Sequence, residues 1–260
     1  MMKLLYVGDI YGNPGRTAAK HFIPMLKEKH NIDLVIANGE NSAGGNGITE
    51  KTYQEMTDAG VDIFTSGNHI WDKKEVFDFL DDYPNIIRPA NYPLGTPGRG
   101  YGIFEKNGIT FAVINLLGRT FMPPIDSPFT KIDEILAELE GKTNIIFLDF
   151  HAETTSEKMA MGWYLDGKIT ALVGTHTHIQ TADERILPNQ TAYITDLGMV
   201  GARNSVLGVD KDIIIQQFRT GLPVRFKPAT GEKIFCGVVI ELDENTGRAI
   251  SIERIKEILQ

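Results

Sequence analysis

Short apolar runs that alternate with helix-like segments are the feature that most limits the folds open to this chain. The first three runs are Lys3–Val7, Leu34–Ala37 and Asp62–Thr65, each of a length typical of a buried strand. A helix-like stretch follows each run, and Pro24 is expected to kink or break the first of these helices. The order β-α-β-α-β-α favours an α/β fold with a largely parallel sheet.

The middle of the chain adds antiparallel pairing. Gly102–Lys106 and Ile109–Leu116 flank Asn107-Gly108, a dipeptide typical of a type I′ hairpin turn. Further strands are predicted at Asn144–Phe150, Ile169–Val173, Ala192–Thr195, Phe235–Leu242 and Ala249–Ile255. Because the sequence has no repeat, low-complexity tract or linker, we predict one domain over residues 1–260, built from two packed mixed sheets with helices outside.

Composition excludes several classes of protein. With 260 residues, of which 42% are hydrophobic, the chain is globular and needs no disulfide or metal simply to fold. Its only cysteine, Cys236, suits a reducing compartment, so we expect a cytoplasmic protein. The first apolar run stops at Gly8-Asp9, and no run approaches the ~20 residues of a membrane span, so we expect neither a signal peptide nor a membrane helix. The net charge of −8 argues against a binder of long nucleic acids.

Polar residues follow the ends of five predicted strands. In open α/β sheets, functional groups gather at the carboxyl ends of strands. Four of the six histidines lie at such points. The residues at these strand ends are Asp9, Glu40, Asn41, Asn68, His69, His151, His176 and His178.

Each of these residues, taken alone, has an ordinary structural explanation. Asp9 suits a turn or a helix cap, and a single His151 is commonly a buried core histidine. His176 and His178 are harder to explain in this way, because two histidines at i and i+2 in an irregular loop can converge. Since five separate strand ends agree, the joint pattern predicts a metal site.

The set of candidate ligands favours two ions over one. A structural zinc usually takes four closely spaced Cys or His ligands, and this chain has one Cys. Carboxylate, amide and imidazole ligands together suit Fe, Mn, Zn or Co, and a carboxylate can bridge two ions. Two ions ~3.5–4 Å apart are a common device for phosphoryl chemistry, since they clamp the attacking and leaving oxygens.

The motifs together resemble the calcineurin-like metallophosphoesterases, and within them the YmdB-type branch. In chain order they read Gly-Asp, Gly-Glu-Asn, Gly-Asn-His, a lone His, and Gly-Thr-His-Thr-His ending at His178. The resemblance covers essentially the whole chain and includes residues 67–74, 115–120, 149–153 and 181–183. It implies an α/β fold of four αββα layers, in which two mixed sheets are flanked by helices.

Two departures from the broad superfamily belong to the YmdB-type pattern. The first motif is usually D-x-H, but here Asp9 is followed by Ile10 and Tyr11. The bridging residue is usually Asp, but the matching residue here is Glu40. In that branch the neighbouring Asn41 looks like the substitute ligand.

Carried over position by position, the resemblance implies two metal sites that share one carboxylate. The first ion would be held by Asp9, Glu40, Asn41 and His178. The second ion would be held by Glu40, Asn68, His151 and His176. His69 would stay free of metal and act on the substrate phosphate or the leaving group. Arg119 is a second candidate for phosphate or ribose contact, although an arginine after a strand is more often a surface residue.

The resemblance also implies an activity. We expect hydrolysis of 2′,3′-cyclic nucleotides to nucleotide 3′-monophosphates by attack of a metal-bridging hydroxide. Iron is expected foremost, with manganese or zinc as alternatives, and the protein is expected to be a homo-oligomer. The alternatives are a phosphomonoesterase, a ribonuclease acting on short RNA, or a non-catalytic phosphate-binding regulatory protein. The complete ligand set argues against the last of these.

Overall fold

The computed structural model describes residues 1–260, which form thirteen strands and six helices. The strands are β1 (Met2–Val7), β2 (Asp9–Ile10), β3 (Leu34–Asn38), β4 (Ile63–Thr65), β5 (Tyr101–Lys106), β6 (Ile109–Leu117), β7 (Ile146–His151), β8 (Ala171–Thr175), β9 (Arg185–Ile186), β10 (Ala192–Ile194), β11 (Met199–Ala202), β12 (Lys233–Leu242) and β13 (Ala249–Leu259). The helices are α1 (Gly12–His30), α2 (Glu50–Asp58), α3 (Val76–Phe79), α4 (Pro128–Leu139), α5 (Thr155–Leu165) and α6 (Lys211–Thr220). A short 3₁₀ helix, Asn68–Trp71, follows β4.

The strands form two mixed sheets. The first sheet has the order β2-β11-β12-β1-β3-β4, with β13 paired to β12. Within it β1, β3 and β4 are parallel, whereas β12 runs antiparallel to β1. The second sheet has the order β5-β6-β7-β8-β10-β9, with parallel central strands and antiparallel edge strands. The predicted pair of mixed sheets is therefore confirmed.

Alternation of side chains along each strand explains the layers. Successive side chains of a strand point to opposite faces, and both faces of β1 are buried. Leu4 and Tyr6 belong to the core between the two sheets, which also contains Phe147 of the second sheet. Leu5 and Val7 belong to the core beneath α1. The outer face of the second sheet packs on α4 and α5 in the same way. The order helix, sheet, sheet, helix confirms the predicted αββα sandwich.

Helix α1 differs from the sequence prediction. It continues through Pro24 to His30, so the predicted break is wrong. Proline removes one intrahelical hydrogen bond, the one to the carbonyl of Lys20. Phe22, Ile23 and Leu26 are buried against the first sheet, and this packing offsets the lost bond.

None of the six helices combines the length and the apolar character that crossing a membrane requires.

The predicted hairpin is confirmed. Strands β5 and β6 pair in antiparallel register, with Lys106 opposite Ile109. Asn107 and Gly108 have φ angles of 54° and 77°, and positive values at both positions are what a type I′ turn requires. Three short strands were not predicted: β9, and the pair β2 and β11, which run parallel at the edge of the first sheet. The short β2 begins at Asp9, and its pairing with a strand near residue 200 has no local signal.

Candidate metal centre

All seven predicted ligands meet at one edge of the sandwich. Each lies at or just beyond the carboxyl end of a strand, and the two sheets bring these ends together. The strands concerned are β1, β3 and β4 of the first sheet and β7 and β8 of the second. We call the group the strand-end wall; its members are Asp9, Glu40, Asn41, Asn68, His151, His176 and His178.

Glu40 lies in the middle of this wall and is almost fully buried. Its Oε1 is 3.1 Å from His151 Nε2 and 3.2 Å from Asn41 Nδ2. Its Oε2 accepts a hydrogen bond from the backbone N–H of His69 at 3.0 Å. The carboxylate therefore stands between two groups of side chains, as a bridging ligand would.

On one side of Glu40, two imidazoles and an amide converge. His151 Nε2 is 3.1 Å from Asn68 Oδ1 and 3.0 Å from His176 Nδ1. The ligand atoms of Glu40, His151 and His176 all lie within 4.8 Å of one another. Imidazole nitrogens and carboxylate oxygens that face a common point suit a divalent cation.

On the other side of Glu40, a buried carboxylate oxygen lacks a partner. Asp9 Oδ2 accepts a hydrogen bond from the backbone N–H of His176, but Oδ1 has no hydrogen bond. Oδ1 lies 3.8 Å from His178 Nε2, which is too far for a hydrogen bond. An unpaired buried carboxylate oxygen is unfavourable. Since metal–nitrogen and metal–oxygen bonds are about 2.0–2.2 Å long, one cation can contact both atoms.

His178 is oriented for this role. Its Nδ1 donates to the backbone carbonyl of Leu207 at 2.9 Å, which leaves Nε2 as the nitrogen that faces the wall. Nε2 is 3.2 Å from Nδ2 of Asn41. Rotation of that amide by half a turn would present its oxygen to the same point.

Gly67 keeps the centre open. A β-carbon at this position would come within 2.3 Å of His151 Nε2 and 2.5 Å of Glu40 Oε2. Any other residue would therefore fill the space between the two ligand atoms. The unpaired oxygen, the converging ligand atoms and the open space together fit a metal centre.

Charges in this cluster are strongly coupled. Burial raises the pKa of Glu40, but the neighbouring His151 outweighs it, and the net pKa is lowered. Burial lowers the pKa of His151, and Glu40 raises it above its ordinary value. Burial and the charge of His151 lower the pKa of His176 to about 3. A proton on His151 thus supplies the positive charge that a metal ion would supply beside Glu40. Metal binding would release this proton.

A hydrogen-bond chain behind His151 fixes its ring. Thr175 Oγ1 donates to Asp149 Oδ1 at 2.6 Å and lies 2.9 Å from His151 Nδ1. Burial raises the pKa of Asp149 to about 6, so this carboxyl is still an acceptor at neutral pH. The hydroxyl has only one proton to donate, so Nδ1 of His151 carries a proton and Nε2 faces the centre. Asp149 was not predicted, although its position two residues before His151 places it on the same strand face.

A buried ion pair supports the loop that carries the last two histidines. Lys158 Nζ donates to Asp196 Oδ2 and to the backbone carbonyl of Thr175, both at 2.7 Å. Asp196 Oδ2 also accepts from the backbone N–H of Thr177 at 3.1 Å. Lys158 and Asp196 are almost completely buried. Nothing local in the sequence indicates that a lysine on α5 reaches this loop.

The loop needs such support because its backbone is strained. His176 and His178 have φ angles of 98° and 65°, a region that side-chain-bearing residues rarely adopt. The ion pair holds the backbone of Thr175, which precedes His176, and that of Thr177, which lies between the two histidines. Strain of this kind persists where the surroundings hold the backbone in place.

The two remaining predicted site residues lie in different places. His69 lines the cavity in front of the strand-end wall, and its Nδ1 is 2.8 Å from Asp72 Oδ2. Arg119 is exposed and is not among the cavity residues. Its backbone N–H donates to the carboxylate of Glu157 at 3.0 Å. The structure thus brings His69 to the centre but not Arg119.

The fold and the arrangement of this centre define a class of protein. Two mixed sheets between helices, with carboxylate, amide and imidazole groups at their strand ends, are those of a calcineurin-like phosphoesterase. The model of the YmdB-like protein family matches residues 5–255. The chain belongs to that family, as the motifs predicted.

Relatives agree with this assignment. A protein of Bacillus subtilis (strain 168) named 2′,3′-cyclic-nucleotide 2′-phosphodiesterase is 56% identical over 254 residues, which is 98% of this chain and 96% of that protein. A crystal structure of a Mycoplasma pneumoniae protein described as a novel phosphatase superimposes with a TM-score of 0.94 at 36% identity, covering 99% of this chain and 93% of that one. A 5′-nucleotidase precursor of Thermus thermophilus shares the fold alone, with a TM-score of 0.57 at 14% identity over 98% of this chain and 54% of that one.

Proposed function

We propose that this protein is a metal-dependent phosphodiesterase that hydrolyses nucleoside 2′,3′-cyclic phosphates to nucleoside 3′-monophosphates. The observation that carries the proposal is the convergence of six ligand-type side chains around Glu40, including an unpaired buried oxygen of Asp9. The name of the Bacillus subtilis relative supports the substrate class.

We infer that the centre holds two ions with Glu40 between them. Asp9, Asn41 and His178 lie on one side of Glu40, and Asn68, His151 and His176 lie on the other. When bound, such ions neutralise phosphate charge, orient the phosphoryl group and lower the pKa of water toward neutrality. Two divalent ions against two carboxylates leave a formal charge of about +2, which suits a small anion in an acidic protein.

His69 has the position of a group that acts on the substrate. Its backbone N–H donates to Glu40, and its Nδ1 lies 2.8 Å from Asp72 Oδ2, so the ring lies beside the centre. The remaining nitrogen, Nε2, is available to hydrogen-bond the phosphate or to give a proton to the leaving 2′-oxygen. A general acid of this kind contributes roughly 10²–10⁴-fold to a rate.

Four finer features belong to the same proposal. The family resemblance makes iron the metal expected first, with manganese or zinc as alternatives, and oxygen and imidazole ligands without thiolate suit all three. The 260 residues act as one domain, since one core cluster joins both sheets. A homo-oligomer in the cytoplasm is the expected form of the protein, in line with its single cysteine.

A substrate panel tests the proposal. Protein purified without oxygen is analysed for metal, supplied with Fe²⁺ or Mn²⁺, and given a 2′,3′-cyclic nucleotide, a nucleotide monoester or a short RNA. We expect two ions per chain and conversion of the cyclic nucleotide to the 3′-monophosphate. Turnover of the monoester alone would indicate a phosphomonoesterase, and internal cleavage of RNA a ribonuclease. A metal-loaded protein that hydrolyses none of them would be a binding protein.

Two variants separate the role of a metal ligand, given to Glu40, from the catalytic role given to His69. Glu40→Gln keeps the shape but removes the bridging charge, so it should lose metal and activity together. His69→Ala should keep its metal while turnover falls about 10²-fold or more. The exposed His21 lies on α1, away from the centre, and His21→Ala is the matched control. Full metal content and full activity in Glu40→Gln would remove Glu40 from the centre.

A further inference from the structure

The cavity in front of the centre has two chemically different sides. Its volume is about 760 Å³, which is within the range of sites that hold a whole small ligand. One side is formed by His69 and by four members of the strand-end wall, namely Glu40, Asn41, His176 and His178. The other side, which we call the apolar wall, comes from a single stretch of the chain after β11; its residues are Val206, Leu207, Val209, Ile214, Phe218, Val224, Phe226 and Pro228.

The apolar wall is attached directly to the centre. Leu207 provides the carbonyl that holds His178 Nδ1. The ring of Tyr11 meets the ring of His178 edge to face, with centroids 5.6 Å apart. Tyr11 also packs with Val209 and Ile214 in a small separate core cluster. A ligand phosphate at the centre would therefore place the rest of the ligand against this wall.

Two aromatic side chains of the wall are left open to solvent. Phe218 near the end of α6 is 85% exposed, and Phe226 in the following loop is 53% exposed. Both line the same cavity as four of the predicted ligands, which are Glu40, Asn41, His176 and His178. Exposed aromatic faces beside an anion site are a ready surface for a flat ring to stack on.

The lining also indicates the charge of the occupant. No lysine or arginine lines this cavity, so it offers no side chain for a second phosphate. Gln217 also lines the cavity, next to Phe218 in the chain, and its amide offers both a donor and an acceptor for the edge of a ring. An uncharged aromatic heterocycle attached to one phosphate fits this combination better than a polynucleotide does.

We propose that the apolar wall is the subsite for the nucleobase of the substrate, with Phe218 and Phe226 as its stacking surface. The inference rests on the proposed function, because it assumes that a nucleotide phosphate occupies the metal centre. Beyond that function, the apolar wall selects nucleotides over phosphodiesters of similar charge that lack a base.

A matched pair of substrates tests the subsite. Adenosine 2′,3′-cyclic phosphate carries the base, whereas methyl ribofuranoside 2,3-cyclic phosphate has a methyl group in its place. The variants are Phe218→Ala, Phe226→Ala and the double variant. The control is Phe121→Ala, since Phe121 is about as exposed as Phe218 but lies outside the cavity. Metal content is measured for each protein.

We expect each single variant to raise the KM of the adenosine substrate about 10-fold, equivalent to about 1.4 kcal/mol. The ratio of kcat/KM for the adenosine substrate over that for the abasic substrate should fall by the same factor, while metal content stays that of the wild type. An equal loss on both substrates, or no loss on either, would overturn the proposal. So would a double variant that changes only the oligomeric state in light scattering, which would make the wall an interface between copies.

Equilibrium binding separates this inference from the proposed function. Adenosine 3′-monophosphate and inorganic phosphate are titrated into the metal-loaded proteins. If wild type hydrolyses neither cyclic substrate, the proposed activity fails, but weaker binding of the nucleotide alone by the phenylalanine variants still supports a base subsite. If the variants bind the nucleotide as tightly as wild type does, the subsite is wrong whatever the activity.

Discussion

The two sides of the cavity differ in how strongly the fold holds them. In the strand-end wall, Asp9, Glu40 and His151 are almost fully buried and belong to one network of polar contacts. In the apolar wall, Phe218 and Phe226 are exposed and make no directional contact that fixes them. Groups that need placement within a fraction of an ångström come from strand ends, whereas the open wall comes from a helix and a loop.

Physical chemistry accounts for the difference. A buried polar group must be paired, so removal of one partner leaves another without compensation. An apolar contact has no direction and can be changed with a smaller loss. Substitutions at or behind the strand-end wall should therefore have larger effects than substitutions at exposed positions around the cavity.

Replacement of Lys158 should have the largest effect. Lys158→Met leaves Asp196 charged, buried and unpaired, which is expected to cost about 3–5 kcal/mol of unfolding free energy. Urea denaturation of the metal-free protein measures the loss. Lys20→Met, at an exposed ion pair on α1, is the control and should change stability by about 1 kcal/mol or less. A stability of Lys158→Met close to that of wild type would contradict the role given to the ion pair.

Replacement of Asp9 should separate metal binding from folding. Asp9→Asn is expected to weaken metal binding by at least about 100-fold, since loss of groups behind a ligand already costs 10–100-fold. The metal-free variant should be as stable as wild type or more stable, because the unpaired buried oxygen of Asp9 is no longer charged. Calorimetric titration with Mn²⁺ and thermal unfolding with and without a chelator measure the two effects. A large loss of stability in the metal-free variant would mean that Asp9 serves the fold and not a cation.

Removal of the hydroxyl behind His151 should have an intermediate effect. Thr175→Val keeps the size of the side chain but deletes the group between Asp149 and the His151 ring, and metal affinity should fall about 10–100-fold. Thr175→Ser keeps the hydroxyl and should restore most of the affinity. If serine and valine behave alike, the hydrogen bond to the histidine does not set metal affinity.

Replacement of Asp72, the exposed partner of His69, should have the smallest effect on activity. His69 and Asp72 form a contact at 2.8 Å, but their side chains are 40% and 35% exposed. Contacts of this kind contribute about 0–1 kcal/mol, so Asp72→Asn should lower turnover by less than about 5-fold and leave metal content unchanged. Steady-state kinetics on the cyclic nucleotide measures the change. A loss as large as that of His69→Ala would show that Asp72 belongs to the catalytic group itself.

Much of the centre could be predicted because every ligand lies at or just beyond the end of a strand. Asp9 and His151 could be identified from short apolar runs that end in a polar residue, and the turn at Asn107 could be identified from a dipeptide. The continuity of α1 through Pro24 could not be predicted, because packing against the sheet outweighs the local preference of proline. The ion pair of Lys158 and Asp196 could not be predicted either, since the two residues lie 38 positions apart and the sequence around one gives no indication of the other.

The sequence by itself determined which residues could form a centre, the αβ alternation and the family. These depend on local properties, since the side-chain period, the turn chemistry and each single motif are contained within a few neighbouring residues. The tertiary structure decided what stands around the centre. It brought a segment near residue 218 opposite Glu40, placed Lys158 under the Thr175–His178 loop and left Arg119 outside the cavity. Such contacts depend on how two sheets and their helices pack, and packing acts through distances in space that no local pattern of residues contains.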